Sequence, residues 1–141
     1  MKSLLLSAAF ALSLPGAVLA QQAMTPQEKG LSAPVVMLMP AIMKNVDALG
    51  LDAAQKAALA EWMAVAPQKR GALEDETAAL RAEMAAAILA GAPVEEREAL
   101  AARIGENETA LVMMRSGCVD NLRAMLTPDQ FARLLEIAAA R

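Results

Sequence analysis

Histidine and tyrosine are absent from this chain, and cysteine occurs once, at Cys118. Without histidine, the commonest general base and the commonest metal ligand are both missing. With no tyrosine and a single thiol besides, most nucleophilic triads and hydrolytic metal centres cannot be assembled. The expectation is a protein that is not an enzyme. One cysteine also forbids an internal disulfide, so the fold must rest on packing within the chain or against another chain. Past residue 20 the aromatics are only Trp62 and Phe131. No run of β-branched residues there suggests a strand, and no apolar run is long enough to cross a bilayer.

The first twenty residues differ in kind. Lys2 gives a short positive start, and LLLSAAFALSLPGAVLA follows as an apolar run broken by Pro15 and Gly16. It closes on Val18-Leu19-Ala20, the small-residue pattern read by a signal peptidase. Residues 1–20 therefore read as a secretory signal peptide cleaved after Ala20, too short and wrongly flanked for a membrane span. Cleavage leaves 121 residues, and the 13 basic residues lose Lys2 to give 12 against 16 acidic ones. That excess of negative charge, with the basic residues scattered, argues against nucleic acid as a partner. A chain of this size can form one domain that buries roughly two-thirds of its unfolded surface.

What is abundant is alanine, leucine, glutamate, arginine and methionine, all strong helix formers, so the fold class is all-α. Residues 21–33 are expected to form a flexible leader, with the helical domain spanning 34–141. Pro34 suits a first helical position, which predicts a first helix from Pro34 to Leu49, kinked near Pro40 and stopped at Gly50. A second helix starts at Asp52 and carries Leu59, Trp62, Met63 and Ala66 on one side. Pro67 and Gly71 are expected to kink or interrupt it. Beyond them Leu73, Thr77, Leu80, Met84 and Ile88 recur at the spacing of one helical face. AGAP (90–93) reads as a turn. From Val94 to Met125 the chain can run helical for roughly 48 Å, on a seam of Leu100, Ile104, Leu111, Met114, Cys118, Leu122 and Met125 interrupted by Asn107. The two long segments are expected to pair as an antiparallel hairpin. A last helix, 128–140, is expected to bury Phe131, Leu134, Leu135 and Ala138.

One short pattern occurs twice. In LTPDQ, Leu126 precedes Thr127 as N-cap, Pro128 stands at the first helical position, and Gln130 at N3 can reach back to the cap amide. This is a capping box, and Leu126 with Phe131 adds a hydrophobic staple. In LDAAQ, Leu51 precedes Asp52 as the cap and Gln55 takes the N3 place, but Lys56 removes the staple. Each cap contributes on the order of 1 kcal/mol, and by itself the pattern marks two helix starts.

A signal peptide, a methionine-rich first helix, LDAAQ, a long hairpin and a terminal LTPDQ together resemble the Spy/CpxP superfamily of periplasmic stress proteins, named for a twice-occurring LTxxQ motif. The likeness covers roughly residues 34–137. LTPDQ matches the second motif fully, whereas LDAAQ carries Asp52 in place of threonine and keeps the capping role. The resemblance implies a cradle-shaped, all-helical homodimer of long, bent hairpins in the periplasm. It also implies ATP-independent chaperone activity toward non-native or partner proteins, modulation of stress-sensor kinases, or heavy-metal sensing and resistance. Two departures weigh on the choice of branch. The chaperone branch uses a positive concave face, and this chain is acidic; the nickel, cobalt and zinc branch uses histidines, and this chain has none.

Nine methionines follow the signal peptide. Most can be core filler in a bundle poor in aromatics. Those off the core stripe, Met37 and Met113, are the candidates for an adaptable client-binding surface, since thioethers repack against varied apolar partners. A second reading pairs Met39 with Met43 and Met114 with Cys118, each four residues apart on one helix face. If the first helix crosses the hairpin near Met114, four sulfurs converge, and thioethers with a thiolate select Cu(I). For Cys118 itself a buried, small apolar role is the primary expectation, with a disulfide across a dimer as the runner-up. The leading expectation is a chaperone that needs no cofactor; the alternative is a Cu(I)-type sensor or resistance protein.

Overall fold

The computed structural model describes residues 29–140; the signal peptide and most of the expected leader lie outside that range. Four helices follow in order: α1 (Met39–Lys44), α2 (Ala53–Ala90), α3 (Val94–Met125) and α4 (Pro128–Ala139). The fold is all-α, as composition and periodicity indicated, with no strand among the described residues.

The long pair, α2 and α3, forms the expected antiparallel hairpin. Its tip is a C-terminal cap of standard chemistry. Gly91 adopts φ 68°, where a Cβ would be strained. The Gly91 and Ala92 amides then donate to the carbonyls of Ile88 (3.2 Å) and Ala87 (2.9 Å), closing a Schellman motif. Glu95 and Glu96 occupy the first turn of α3, where negative charge opposes the positive end of the helix dipole. Along the hairpin, Thr77 is fully buried, and its hydroxyl donates to the Leu73 carbonyl at 2.7 Å. That bond satisfies the hydroxyl of the one polar residue buried among the described residues.

The main core lies at the other end of the hairpin. There Ile42 of α1, Leu122 of α3 and Leu134 of α4 are fully buried, joined by Leu38, Leu49, Leu51, Leu59, Leu126 and Phe131. The Arg123 guanidinium sits 4.4 Å from the centre of the Phe131 ring, adding a cation–π contact at the edge of this core. A smaller cluster of Leu80, Ala87 and Leu100 holds the hairpin together nearer its tip.

Leu135, expected to be buried by the last helix, is 43% exposed, at the edge of the α4 face that buries Phe131 and Leu134, and three larger expectations need correction. The first helix is not 34–49 but only Met39–Lys44. Pro40 falls in its first turn, where a missing N–H is harmless; deeper in a longer helix, its ring would clash with the carbonyl four residues back. At the far end the Asn45 side chain donates to the Ala41 carbonyl at 2.8 Å, and the chain turns through Gly50 (φ 63°). The second correction concerns Pro67 and Gly71, which do not interrupt α2; one helix of 38 residues runs through both. Proline costs that helix one backbone bond, and the burial of Leu59 before it and of Thr77 and Leu80 beyond it outweighs the loss.

The third correction is at the seam. Leu100 and Leu122 are buried there, and Cys118 is half-buried, but Met114 is 40% exposed. Asn107 is half-buried, with its amide nitrogen lacking a partner among the described residues. Outside the helices, part of the expected leader is fixed in place. Leu31 is buried, Lys29 pairs with Asp75 of α2, and the Ser32 amide donates to Glu108 of α3 at 3.5 Å.

Candidate functional site

The repeated motif turns out to be one structure. Both capping boxes form: the Gln55 amide donates to Asp52 Oδ1 at 2.8 Å, and the Gln130 amide to Thr127 Oγ1 at 3.2 Å. Each glutamine oxygen accepts its own cap amide, Asp52 N to Gln55 Oε1 and Thr127 N to Gln130 Oε1, both at 3.0 Å. The two side chains then bond each other across 75 residues of sequence. Gln55 Nε2 donates to Gln130 Oε1 at 2.7 Å, and Gln130 Nε2 donates to Gln55 Oε1 at 3.1 Å. The remaining donor of each reaches a turn carbonyl, Gln55 to Met125 (3.0 Å) and Gln130 to Gly50 (3.1 Å). Each primary amide thus uses both donors and both acceptor positions. Leu51 and Leu126, which open the two motifs, are both buried in the main core. The motif is therefore a self-complementary clasp that ties the start of α2 to the start of α4.

Beside this clasped end lies a groove of about 690 Å³. Met37, Met39 and Pro40 form one wall, Trp62, Met63, Ala66 and Pro67 of α2 another, and Met114, Gly117 and Cys118 of α3 a third. Small residues from both long helices line it, Ala66 and Gly71 of α2 and Gly117 of α3. A Cβ added at Gly71 or Gly117 would meet nothing within 4 Å, so neither helix fills the space between them. Met114 lies on this groove and is accordingly 40% exposed.

The charge around the groove runs against that of the chain. Lys29, Lys69, Arg70 and Arg115 line it, with Glu74 the single acid. Glu74 Oε1 is shared by Arg70 Nε at 3.3 Å and Arg115 Nη2 at 3.7 Å. Lys29 is paired with Asp75, but Glu74 alone cannot neutralise two guanidiniums and Lys69, so the groove is locally positive although the whole chain carries −3. Burial lowers the pKa of Arg115, and the Arg70 charge adds to that, while Glu74 and Cys118 oppose it; an arginine so placed stays protonated at neutral pH. Burial pushes the Cys118 thiol up, and the attraction of Arg115 and Arg70 only partly offsets this. The thiol therefore stays protonated at neutral pH and is not an activated nucleophile.

Of the residues singled out in the sequence, Met37, Met39, Met114 and Cys118 line this one groove. Met43 does not contribute to its walls and is 50% exposed; Met113, at 61% exposed, also lies outside it. Trp62 and Met63 were expected as one face of α2 and prove to be groove walls, and the basic rim was not anticipated. The signal for the groove walls was present in the glycines, Gly71 of α2 and Gly117 of α3, which both line it.

Beside the groove the segment from Leu31 to Val35 lies against the hairpin near Glu108, Leu111 and Val112. Arg81 Nη2 donates to Glu108 Oε1 at 2.7 Å. Burial alone would raise the pKa of the Glu108 carboxyl, but the Arg81 bond and charge and the Ser32 bonds hold it below the usual value. A carboxylate lowered in this way stabilises the fold above its unfolded pKa, and the contribution is lost as pH falls through the folded value. Glu108→Gln is expected to lower stability by about 1 kcal/mol at neutral pH. Thermal melts of the two proteins should converge as pH falls through the lowered Glu108 value; a gap that does not narrow as acid protonates the carboxyl would assign the effect to packing.

No protein-family model matches this chain, and neither a curated protein nor a solved structure matches it.

Proposed function

We propose that this chain is an exported, ATP-independent chaperone of the Spy/CpxP type, acting in the periplasm as a homodimer and holding non-native or partner proteins in its groove. The observation that carries the reading is the groove's composition. Four thioethers and an indole stand around an open space with a basic rim, the surface a client with apolar side chains and acidic flanks requires. Unbranched thioethers adapt to varied partners without one fixed shape. Complementary charge speeds encounter more than it deepens affinity. Two or three apolar client side chains buried there contribute roughly 1.5–3 kcal/mol each before ordering costs. The net affinity then falls between about millimolar and micromolar, weak enough for release without nucleotide hydrolysis.

The test replaces Met37 and Met114 together with serine. The two side chains are 55% and 40% exposed and outside both core clusters, so the melting temperature should move little while suppression of client aggregation falls several-fold. Met113→Ser, outside the groove, should leave suppression intact. Equal effects from both variants, or none from the groove pair, would remove the proposal.

One observation favours a second reading, a soft-metal sensor or resistance protein. Met39, Met114 and Cys118, three of the four sulfurs expected to converge, do line one groove, with Met37 and Met63 beside them. Thioethers with one thiolate suit Cu(I), and loading would have to displace the Cys118 proton. On this reading Cys118→Ala abolishes tight Cu(I) binding in an anaerobic titration and spares aggregation suppression. On the chaperone reading there is no tight binding to lose.

A further inference from the structure

The long helices sort the groove's lining by polarity along its length. On α2, Trp62, Met63, Ala66 and Pro67 come first, and Lys69, Arg70 and Glu74 follow toward the hairpin tip. From Trp62 to Arg70 is about 12 Å at the helical rise. The other long helix runs the opposite way, and its one charged wall residue, Arg115, likewise lies on the tip side of Gly117 and Cys118. The cationic end is under-matched. Arg70 Nε stands 3.3 Å from Glu74 Oε1, yet it is shielded from solvent and has no hydrogen-bond partner among the described residues. Arg115, its side chain 16% exposed, reaches the same oxygen only at 3.7 Å, beyond hydrogen-bond range. Two partly desolvated guanidiniums thus share one carboxylate that neither bonds closely, which leaves planar donor forks to spare.

We propose that the groove is a binding site for a single-chain anionic amphiphile, a free fatty carboxylate. Its headgroup lies at Arg70 and Arg115, and its tail runs along Trp62, Met63 and the thioether wall. Three features select that ligand. A carboxylate matches the guanidinium fork in both plane and charge. An unbranched tail suits a wall of unbranched, adaptable thioethers. A cleft walled on three sides, of about 690 Å³, falls within the range of small-molecule sites and admits one chain where a bilayer would need an open face. The site depends only on the groove's lining and stands apart from the client reading.

Trp62 is the only tryptophan of the chain and forms part of the wall, so its emission reports occupancy. Titration with decanoate below its micellar concentration should shift that emission to the blue and saturate. Octanoate, two methylenes shorter, should bind about tenfold more weakly, and acetate should cause no shift. Decyltrimethylammonium carries the same tail with the opposite charge and should bind weaker than decanoate by about tenfold or more. Arg70→Gln should weaken decanoate by a similar factor and leave the ratio of decanoate to octanoate unchanged, which separates head from tail. Equal affinity for decanoate and decyltrimethylammonium in the unmodified chain would overturn the site, whether or not Arg70→Gln folds. So would the lack of a saturable shift with decanoate, or co-sedimentation with phosphatidylglycerol vesicles in its place. If decanoate fails to bind while the paired Met37 and Met114 variant still loses aggregation suppression, the amphiphile site is wrong and the client reading stands.

Discussion

Replacing Gln130 with alanine is expected to lower the free energy of unfolding by about 2–4 kcal/mol. The substitution removes both bonds to Gln55, the bond to the Gly50 carbonyl and the bond accepted from the Thr127 amide. It leaves one donor and one acceptor of Gln55 without their partner in a half-buried place, so the loss exceeds that of an ordinary cap. Gln55→Ala should cost about as much for the mirror-image reason. Because the two side chains act as one unit, the double variant should be more stable than the sum of the singles implies, with a coupling of about 1–2 kcal/mol. Urea melts of the four proteins measure this directly. Strict additivity would mean that the clasp is only two independent caps.

Leu122→Ala is expected to cost about 2–5 kcal/mol. Leu122 is fully buried where α3 meets α1 and α4, and the clasped helix starts leave little freedom for neighbours to fill the cavity. Set against a total stability of about 5–15 kcal/mol, such a loss brings the protein near unfolding at ambient temperature. Met114, two turns earlier on the same sequence stripe, provides the contrast. Its side chain lies in the groove, so Met114→Ala should cost under about 0.5 kcal/mol. A thermal-melt comparison that found the two equal would place Met114 back in the core.

That contrast marks where sequence periodicity stops being informative. It identified α3 to the residue, along with both capping boxes and the apolar hairpin faces, because those depend on local chemistry repeated every three or four positions. It treated the seam as uniform, whereas burial at each position depends on what the facing helix supplies. Around Met114 the groove walls that α2 supplies include Ala66, Pro67 and Gly71, and the seam opens. The glutamines were legible as caps but not as a pair. Their bond depends on α2 and α4 starting side by side, a tertiary fact no single motif contains. The basic rim was hidden for a related reason: Lys29, Lys69, Arg70 and Arg115 come from three separate stretches, and the net charge of the chain has the opposite sign. Pro40 and Pro67 show the same limit in opposite directions. One bounds a six-residue helix and the other is absorbed in a helix of 38, according to how much packing lies on either side.

The central claim is that non-native protein binds in the thioether groove, and site-directed photo-cross-linking addresses it most directly. A photo-reactive residue is placed in turn at 37 and 114, in the groove, and at 113 and 65, exposed but outside it. Each protein is irradiated with a reduced, carboxymethylated and therefore permanently unfolded client. The account predicts client adducts at 37 and 114, lost on competition with excess unlabelled client, and little or none at 113 and 65. Adducts spread evenly over all four positions, or confined to the two outside the groove, would contradict it.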